Sequence, residues 1–359
     1  MVAMSEYFST HLNDWDSSLA VLLSETNPSP ALSALSTSEL ARMDAGRTIF
    51  ALPGVVRLLV SERPQVIVSS LPHVSAVVSL AKLLTRSRAL HVVRVESDFR
   101  RTQNNGLAGW FREKLTKALL ARADHYIVVA EELGSPTALW LARDKERFIA
   151  IPNPVVNPPG LVQGPGVSTP AGPFLRLVAV GRLAAEKNFS LAIAMVARLL
   201  EKSGAPVTLD IFGEGPLRGP LQEEIFSLGL TGSVHLHGHV HDKNVIYGSG
   251  DILVVTSLYE GNPLSIVEAL GYGLSVVSVD CDFGPREILI AEWLGSLSRA
   301  DPEDLAAKVL AASERIQGND ESCRRREYAL EKFGLNFIAS RHEQLFLSLL
   351  EGAGRNNKL

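Results

Sequence analysis

Residues 251–270 read DILVVTSLYEGNPLSIVEAL, which indicates a strand, a loop and a helix in succession. The apolar run 251–257 is typical of a buried strand. Glu260 is then expected on the loop, with Glu268 about one turn into the helix that follows. Ligands of open α/β sheets bind beyond the carboxyl ends of the strands, so both carboxylates are expected to face one cleft.

The same alternation of apolar runs and amphipathic stretches extends outward over most of the chain. Continuous apolar strands between helices predict parallel sheets covered on both faces. The predicted fold class is therefore α/β, with two doubly wound Rossmann-like domains facing a cleft. Strands are predicted at 18–25, 65–71, 90–97, 125–131, 148–153, 175–183, 207–215, 234–240, 251–257 and 274–280. Helices are predicted at 47–62, 74–85, 107–122, 188–203, 217–228, 264–272, 301–315 and 320–350.

A stretch dense in proline and glycine, NPVVNPPGLVQGPGVSTPAGPF at 153–174, separates two series of strands. Such composition is typical of a linker. We expect a first domain at 1–155, a linker at 156–173 and a second domain at 174–335. The remaining residues, 336–359, are expected to form a helix and tail that pack back on the first domain.

Composition narrows the function classes. The chain has 359 residues, 46% hydrophobic content and a net charge of −4, which argues against disorder and against nucleic-acid binding. Its two cysteines, Cys281 and Cys323, match no metal or disulfide spacing, which favours the cytoplasm. Neither a signal peptide nor a membrane-spanning apolar run is expected.

Two loops after predicted strands carry features of phosphate sites. Gly181 allows a tight turn, and Arg182 and Lys187 place two cations near a helix N-terminus, which suits a diphosphate. The alternative is surface charge capping a helix. Gly213 and Gly215 form an incomplete dinucleotide fingerprint, better interpreted as a loop whose backbone approaches a ligand.

The carboxylates Glu260 and Glu268 can accept hydrogen bonds from sugar hydroxyls. The helix start near Leu264 offers backbone N–H groups to a phosphate. By spacing alone, two unrelated acids, one of them a solvated helix charge, would be the favoured explanation of this pair. The order of the three loops, GRLAAEKN, then GEGP, then EGNPLSIVEAL, is more specific than any one of them.

With the later stretch DCDFGPREIL at 280–289, this order resembles the retaining glycosyltransferases of family 4, which have the two-domain GT-B fold. The resemblance covers roughly residues 45–350. It implies that Arg182 and Lys187 hold the donor diphosphate, that Glu260 contacts the donor sugar and that Glu268 binds the ribose. Further donor-binding positions implied are Gly181, Gly213, Gly215, His239, Val240, Gly261, Asn262, Pro263, Leu264 and Ser265.

The resemblance implies transfer of a sugar, with retention, from a nucleotide sugar to a glycan or lipid-linked acceptor. A UDP-sugar is the favoured donor, and no metal or other cofactor is required. The setting implied is bacterial surface polysaccharide biosynthesis, such as capsule or lipopolysaccharide. Two alternatives stay open: a sugar-nucleotide 2-epimerase-like enzyme, and an inactive, truncated partner that binds nucleotide sugars.

The sequence departs from the family pattern at two places. Relatives open with a strand and a glycine-rich loop, whereas this chain starts at what resembles the first helix, around 5–12. Many relatives carry a histidine after the strand at 90–97. Asp98 is expected to take that catalytic position here and to orient the acceptor hydroxyl.

Two patterns offer rival metal sites. D-x-D occurs at 14–16 and at 280–282, and histidines alternate at 235, 237, 239 and 241. On a strand, alternating histidines share one face. Because no acid or cysteine completes a ligand set in the sequence, we favour loop residues over metal ligands.

The helix expected at 107–122 has one apolar stripe, formed by Leu107, Trp110, Phe111, Leu115, Ala118 and Leu119. Packing of this stripe on the sheet is the favoured interpretation. The alternative is a basic, aromatic contact with the inner face of the cytoplasmic membrane, since 82–122 holds 10 basic and 3 acidic residues.

Overall fold

The computed structural model describes residues 19–23, 40–44, 48–99, 107–155, 174–316 and 319–356. The chain divides into two compact units, Met1–Pro154 with Leu335–Leu359, and Val155–Gly334. The helix expected around 5–12, the D-x-D at 14–16 and the linker expected at 156–173 lie outside the described residues.

The first unit contains a four-stranded parallel sheet of order β3-β4-β5-β6. Two further strands, β1 and β2, pair with each other in parallel. The strands are β1 Leu19–Leu23, β2 Leu40–Asp44, β3 Val66–Ser70, β4 Leu90–Val95, β5 His125–Val128 and β6 Phe148–Ala150. The helices are α1 Leu52–Ser61, α2 Pro72–Thr85, α3 Leu107–Leu120, α4 Glu131–Leu141 and, from the end of the chain, α12 Leu335–Asn356.

Helix α12 is held to the first unit by apolar contacts. Ile338 and Phe346 are buried in one cluster with Val92 of β4, Ile127 of β5 and Ile151, which directly follows β6. Burying side chains of this size stabilises a fold by about 1.5–3 kcal/mol each. The last helix of the chain therefore completes the core of the first unit, although it follows the second unit in sequence.

The second unit contains a six-stranded parallel sheet of order β12-β11-β10-β7-β8-β9. Its strands are β7 Leu175–Val180, β8 Val207–Phe212, β9 Val234–Gly238, β10 Ile252–Val255, β11 Ser275–Val279 and β12 Gly295–Ser298. Its helices are α5 Phe189–Ser203, α6 Arg218–Ser227, α7 Lys243–Gly248, α8 Leu264–Gly271, α9 Pro285–Ile288, α10 Pro302–Arg315 and α11 Asn319–Phe333.

Helices cover both faces of this sheet. One core cluster packs α5, α6 and α10 on the strands, and the other packs α7, α8 and α11 on the opposite face. Strand order reverses between β7 and β10, because β8 and β9 extend to one side and β11 and β12 to the other. The loops after β7 and β10 therefore diverge to opposite sides. In doubly wound sheets, ligands bind in the crevice between two such loops.

The predicted fold class is confirmed, since both units are built on parallel sheets with intervening helices. Five elements were not predicted: β2, α4, α7, α9 and β12. Strand β12 reads GSLS and lies at the sheet edge, so it lacks the apolar run that marks a buried strand. The single helix predicted at 320–350 is two helices that meet at Gly334.

Candidate active site

The loops after β7, β8 and β9 are joined by backbone hydrogen bonds. The Gly181 amide donates to the Phe212 carbonyl at 3.0 Å, and the Gly213 amide donates to the Gly238 carbonyl at 2.8 Å. These bonds continue the sheet ladder beyond the ends of the strands. The three loops therefore form one supported platform at the carboxyl edge of the sheet.

Glycine is required where these loops meet. Gly213 has a φ of 147°, and a Cβ there would overlap the carbonyl oxygen of Gly181. A Cβ on Gly215 would overlap the carbonyl of Leu183 in the same way. The incomplete glycine fingerprint thus allows close contact with the neighbouring loop, a role that spacing alone did not distinguish from contact with a ligand.

Lys187 and Glu260 meet across the point where strand order reverses. The Lys187 ammonium lies 2.6 Å from Glu260 Oε1, and the Ser257 hydroxyl donates to the same oxygen at 2.6 Å. The Thr256 hydroxyl donates to the Lys187 carbonyl at 2.8 Å, which fixes the backbone of the lysine. Only 24% of the Lys187 side chain and 10% of the Glu260 side chain are exposed.

Arg182, on the same loop as Lys187, has an exposed side chain. The Lys187 ammonium is ion-paired with Glu260. The Arg182 guanidinium, in contrast, makes neither an ion pair nor a hydrogen bond with any residue the structure describes. A cation in this state keeps all its donors available to an anionic ligand.

Glu268 is held on α8 by two donors from α7. The Tyr247 hydroxyl donates to Glu268 Oε2 at 2.6 Å, and the Lys243 ammonium donates to the same oxygen at 2.9 Å. Burial, and then the nearby Glu268 carboxylate, raises the pKa of Tyr247 far above its usual value. Tyr247 therefore stays protonated and remains a donor.

The two carboxylates share one arrangement. In Glu260 and in Glu268, one oxygen accepts two hydrogen bonds, while the other accepts none from the described residues. The orientation of each carboxylate is thus fixed before any ligand arrives. Each open oxygen can accept a hydrogen bond from a hydroxyl group.

The loop between Glu260 and α8 is braced by the segment after β11. Tyr259 forms a parallel bridge with Asp282, and the Glu260 amide donates to the Asp282 carbonyl at 3.3 Å. Burial first, and Glu260 second, raises the pKa of the Cys281 thiol to about 11. Cys281 is therefore a protonated packing residue and is unsuited to act as a nucleophile.

Helix α8 begins with unoccupied donors. Pro263 precedes the helix without a side-chain cap, and the amides of Leu264 and Ser265 meet no acceptor among the described residues. Gly261 and Pro263 are buried, whereas Leu264 is exposed. The first turn can therefore offer backbone N–H groups to an anion.

Two of the predicted donor-binding residues, His239 and Val240, follow β9. His239 is exposed, and its ring lies edge-on to that of His241 with a 4.4 Å centroid separation. Val240 is partly buried and packs on the core of the second unit. The structure thus brings Gly181, Arg182, Lys187, Glu260, Glu268 and the β9 loop to one edge of one sheet.

A polar cluster at the carboxyl edge of the first unit's sheet was not predicted. Glu96, just after β4, accepts from Arg94 at 2.9 Å, from Ser70 at 3.3 Å and from Asn153 at 3.4 Å. Asp98 lies two residues further on and is 8% exposed. The available signal was that Ser70, Glu96 and Asn153 each end or follow a strand.

The two sequence patterns that resemble metal sites, the D-x-D at 280–282 and the alternating histidines, have different surroundings in the structure. Asp280 accepts from the Arg286 guanidinium at 2.9 Å, so one acid of the D-x-D at 280–282 is engaged in an ion pair. The sequence pattern offered no acid to complete a ligand set with the alternating histidines, but the fold brings one beside two of them. Asp210, on the neighbouring strand, contacts His235 and His237.

The apolar stripe on α3 does not pack on the sheet as favoured from the sequence. Trp110, Phe111 and Leu115 are 46%, 65% and 62% exposed. The Lys114 ammonium lies 4.0 Å from the centre of the Trp110 ring. Within the described parts of the chain, every helix falls short of a bilayer crossing in length or in apolar character.

Comparison with known families places both units. A model described as a glycosyl transferase 4-like domain matches residues 27–154, and one described as glycosyl transferases group 1 matches residues 175–315. Together they cover well over half of the chain. The boundary between the two matches falls in the segment dense in proline and glycine.

Curated relatives match over part of their length. An uncharacterised glycosyltransferase of Methanocaldococcus jannaschii is 38% identical over 113 residues, which are 32% of this chain and 28% of the relative. The amylovoran biosynthesis glycosyltransferase AmsD of Erwinia amylovora is 32% identical over 114 residues, 32% of each chain. The chain thus matches about a third of the length of these relatives.

Solved structures share the fold over a greater length. A glycosyltransferase from Rickettsia africae has a TM-score of 0.75 and 14% identity, covering 97% of this chain and 93% of its own. Anabaena HepE in complex with UDP has a TM-score of 0.69 and 18% identity, covering 86% of each chain. With both family models matched in order, the chain belongs to the family 4-type glycosyltransferases of GT-B fold.

Proposed function

We propose that the protein transfers a sugar, with retained configuration, from a nucleotide sugar to a glycan or lipid-linked acceptor. The observation that carries this proposal is the cluster at the switch point of the second unit. Two cations and an uncapped helix start lie on the same sheet edge as two carboxylates, each with one open oxygen. That combination suits a diphosphate joined to two hydroxyl-bearing rings.

The cluster supports assigned roles. Lys187, Arg182 and the first amides of α8 would bind the diphosphate, Glu260 a hydroxyl of the donor sugar and Glu268 the ribose. The bond between the anomeric carbon and the diphosphate oxygen breaks as the acceptor oxygen bonds to the same face of that carbon. The acceptor's proton leaves with the departing phosphate. The cations stabilise the negative charge that develops on the diphosphate.

Neighbouring structures favour a uridine nucleotide. HepE has been solved with UDP-glucose, and a pneumococcal O-GlcNAc transferase, GtfA, with UDP and GlcNAc. Curated relatives include an amylovoran biosynthesis glycosyltransferase of Erwinia amylovora and a poly(ribitol-phosphate) alpha-N-acetylglucosaminyltransferase of Staphylococcus aureus. For this chain we propose a UDP-sugar donor and an acceptor in surface polysaccharide biosynthesis. The acceptor hydroxyl would be oriented by Asp98, in the first unit.

The test is transfer of radiolabel from UDP-, GDP- and ADP-sugars to lipid-linked acceptors, with the anomeric configuration of the product read by NMR. We expect transfer from a UDP-sugar that continues in the presence of EDTA. An inverted product, or a sugar nucleotide epimerised without any acceptor, would contradict the proposal. Donor binding without turnover across the acceptor panel would favour the inactive partner.

The two carboxylates should be separable by their ligands. Glu268→Ala is expected to weaken UDP binding by about 10- to 100-fold, because it removes a charged acceptor from the ribose. Glu260→Ala should weaken binding of UDP-glucose more than binding of UDP, because it removes a contact to the sugar as well as the carboxylate that holds Lys187. Calorimetry with UDP and UDP-glucose on both variants measures this difference. An equal loss of UDP binding in the two variants would contradict the assignments.

We also propose that the exposed face of α3 contacts anionic lipid. Trp110, Phe111 and Leu115 supply apolar surface, and Lys114 and Lys117 lie on the same helix. Changing both lysines to Glu should weaken binding to phosphatidylglycerol vesicles at least about tenfold, since each basic residue contributes about 1 kcal/mol near an anionic surface. Lys332→Glu, an exposed site on α11, is the matched control. Unchanged vesicle binding in the double variant would contradict this contact.

A further inference from the structure

The edge strand of the second unit's sheet carries a cluster that the proposed transfer does not use. Asp210 Oδ1, on β8, lies 2.6 Å from His237 Nε2 and 3.3 Å from His235 Nδ1, both on β9. All three ligand atoms lie within 4.8 Å of one another. The histidines are about two-fifths exposed, and the aspartate is more buried.

The sheet register produces this cluster. Asp210 pairs with His235 across β8 and β9, and His237 follows two residues later on the same face. Leu236 points the other way and packs on the core formed with α5, α6 and α10. The His237 ring stacks on Phe212, with ring centres 4.7 Å apart, which keeps this imidazole beside the cluster.

We propose that Asp210, His235 and His237 form a binding site for a borderline transition-metal ion such as Zn²⁺. Two imidazoles and a carboxylate are ligands that Zn²⁺ uses, and three protein ligands leave one position for water. With bonds of about 2.0–2.1 Å, tetrahedral ligand atoms lie roughly 3.3 Å apart. The His235–Asp210 distance already has this value, and a small rotation of the half-exposed His237 side chain would open the other contact.

The donor set selects among metals. Imidazole nitrogen suits Zn²⁺, Co²⁺, Ni²⁺ and Cu²⁺, whereas Mg²⁺ prefers a full set of oxygen ligands. The remaining alternating histidines, His239 and His241, lie beyond Gly238 and form a separate pair. The site therefore needs the register of β8 and β9, and does not arise from any two of the four histidines.

Metal binding here would also restrain the loops after β8 and β9, which form part of the platform at the carboxyl edge of the sheet. His237 directly precedes Gly238, whose carbonyl accepts the Gly213 amide. An ion joining β8 to β9 would restrain both loops that follow these strands. We therefore assign the site a structural role at the sheet edge, separate from the chemistry of transfer.

The experiment uses the full chain without a histidine tag. We expect one Co²⁺ per chain with the visible absorption of tetrahedral cobalt, its displacement by Zn²⁺, and a higher melting temperature with Zn²⁺ but not with Mg²⁺. His237→Ala and His235→Ala should each weaken Co²⁺ binding at least about tenfold. His241→Ala, the matched control, should bind as the unaltered chain does.

Three outcomes would overturn the site: no Co²⁺ binding by the unaltered chain, full binding by His237→Ala, or loss of binding in His241→Ala. The last would assign the metal to His239 and His241. Because no nucleotide sugar is present in these measurements, their result is independent of the proposed transfer.

Discussion

Replacing Lys187 with alanine is expected to lower kcat/KM for sugar transfer by about 100- to 1000-fold, the effect of removing one preorganised group from a developing negative charge. The ammonium is held by Glu260 at 2.6 Å, and its backbone is fixed by Thr256. It is therefore aimed before the donor binds. Because the charge grows as the diphosphate departs, the loss should fall more on kcat than on KM.

This effect can be distinguished from loss of folding. Lys187→Ala leaves Glu260, which is 10% exposed, without its cation, and should destabilise the fold by about 1–3 kcal/mol. Adding Glu260→Gln removes that unpaired charge, so the double variant should regain stability but not transfer. Lys202→Ala, on α5 and ion-paired with Glu303, is the control for losing a lysine. Transfer restored along with stability in the double variant would contradict a role for Lys187 in the reaction.

The fold class could be predicted from the sequence because buried parallel strands are nearly continuous apolar runs. Strands β10 and β11 are buried along their whole length, and each was predicted within a few residues. Strand β12 was missed for the complementary reason, since its polar GSLS run is stabilised by pairing with β11. Elements whose stability comes from a neighbour carry little of their own signal.

The meeting of two cations and a carboxylate at one sheet edge was predictable for a related reason. Arg182, Lys187 and Glu260 each follow a strand, and the carboxyl ends of parallel strands meet at one edge. What depends on strand order and register was not predictable. The contact of Asp210 with His235 requires the exact pairing of β8 with β9, and Glu96 meets Asn153 only because β4, β5 and β6 are neighbours.

Periodicity has a comparable limit on α3. It showed that Trp110, Phe111 and Leu115 share a face, but not whether another element covers that face. In the structure these three side chains are exposed. An apolar stripe therefore predicts burial only when the neighbouring elements are also known.

Gly213→Ala is expected to be among the most damaging substitutions of a single small residue, destabilising the protein by roughly 3–5 kcal/mol. Two costs combine. The backbone at φ 147° is strained for any L side chain, and the new Cβ would overlap the Gly181 carbonyl. Relief requires the loops after β7 and β8 to separate, which would displace Arg182 and Lys187. Thermal unfolding and UDP calorimetry should therefore show loss of stability and of nucleotide binding together.

Two other glycines of the second unit separate these costs. Gly229 has a φ of 69° and open space around its Cβ position, so Gly229→Ala should cost about 1–2 kcal/mol from backbone strain alone. Gly219, in the first turn of α6, is exposed and has open space and no such strain, so Gly219→Ala should change stability by less than about 0.5 kcal/mol. Neither control should change UDP affinity, because neither touches the β7 loop. If Gly213→Ala behaved like Gly229→Ala in both measurements, the contact between the loops would not be what positions the two cations.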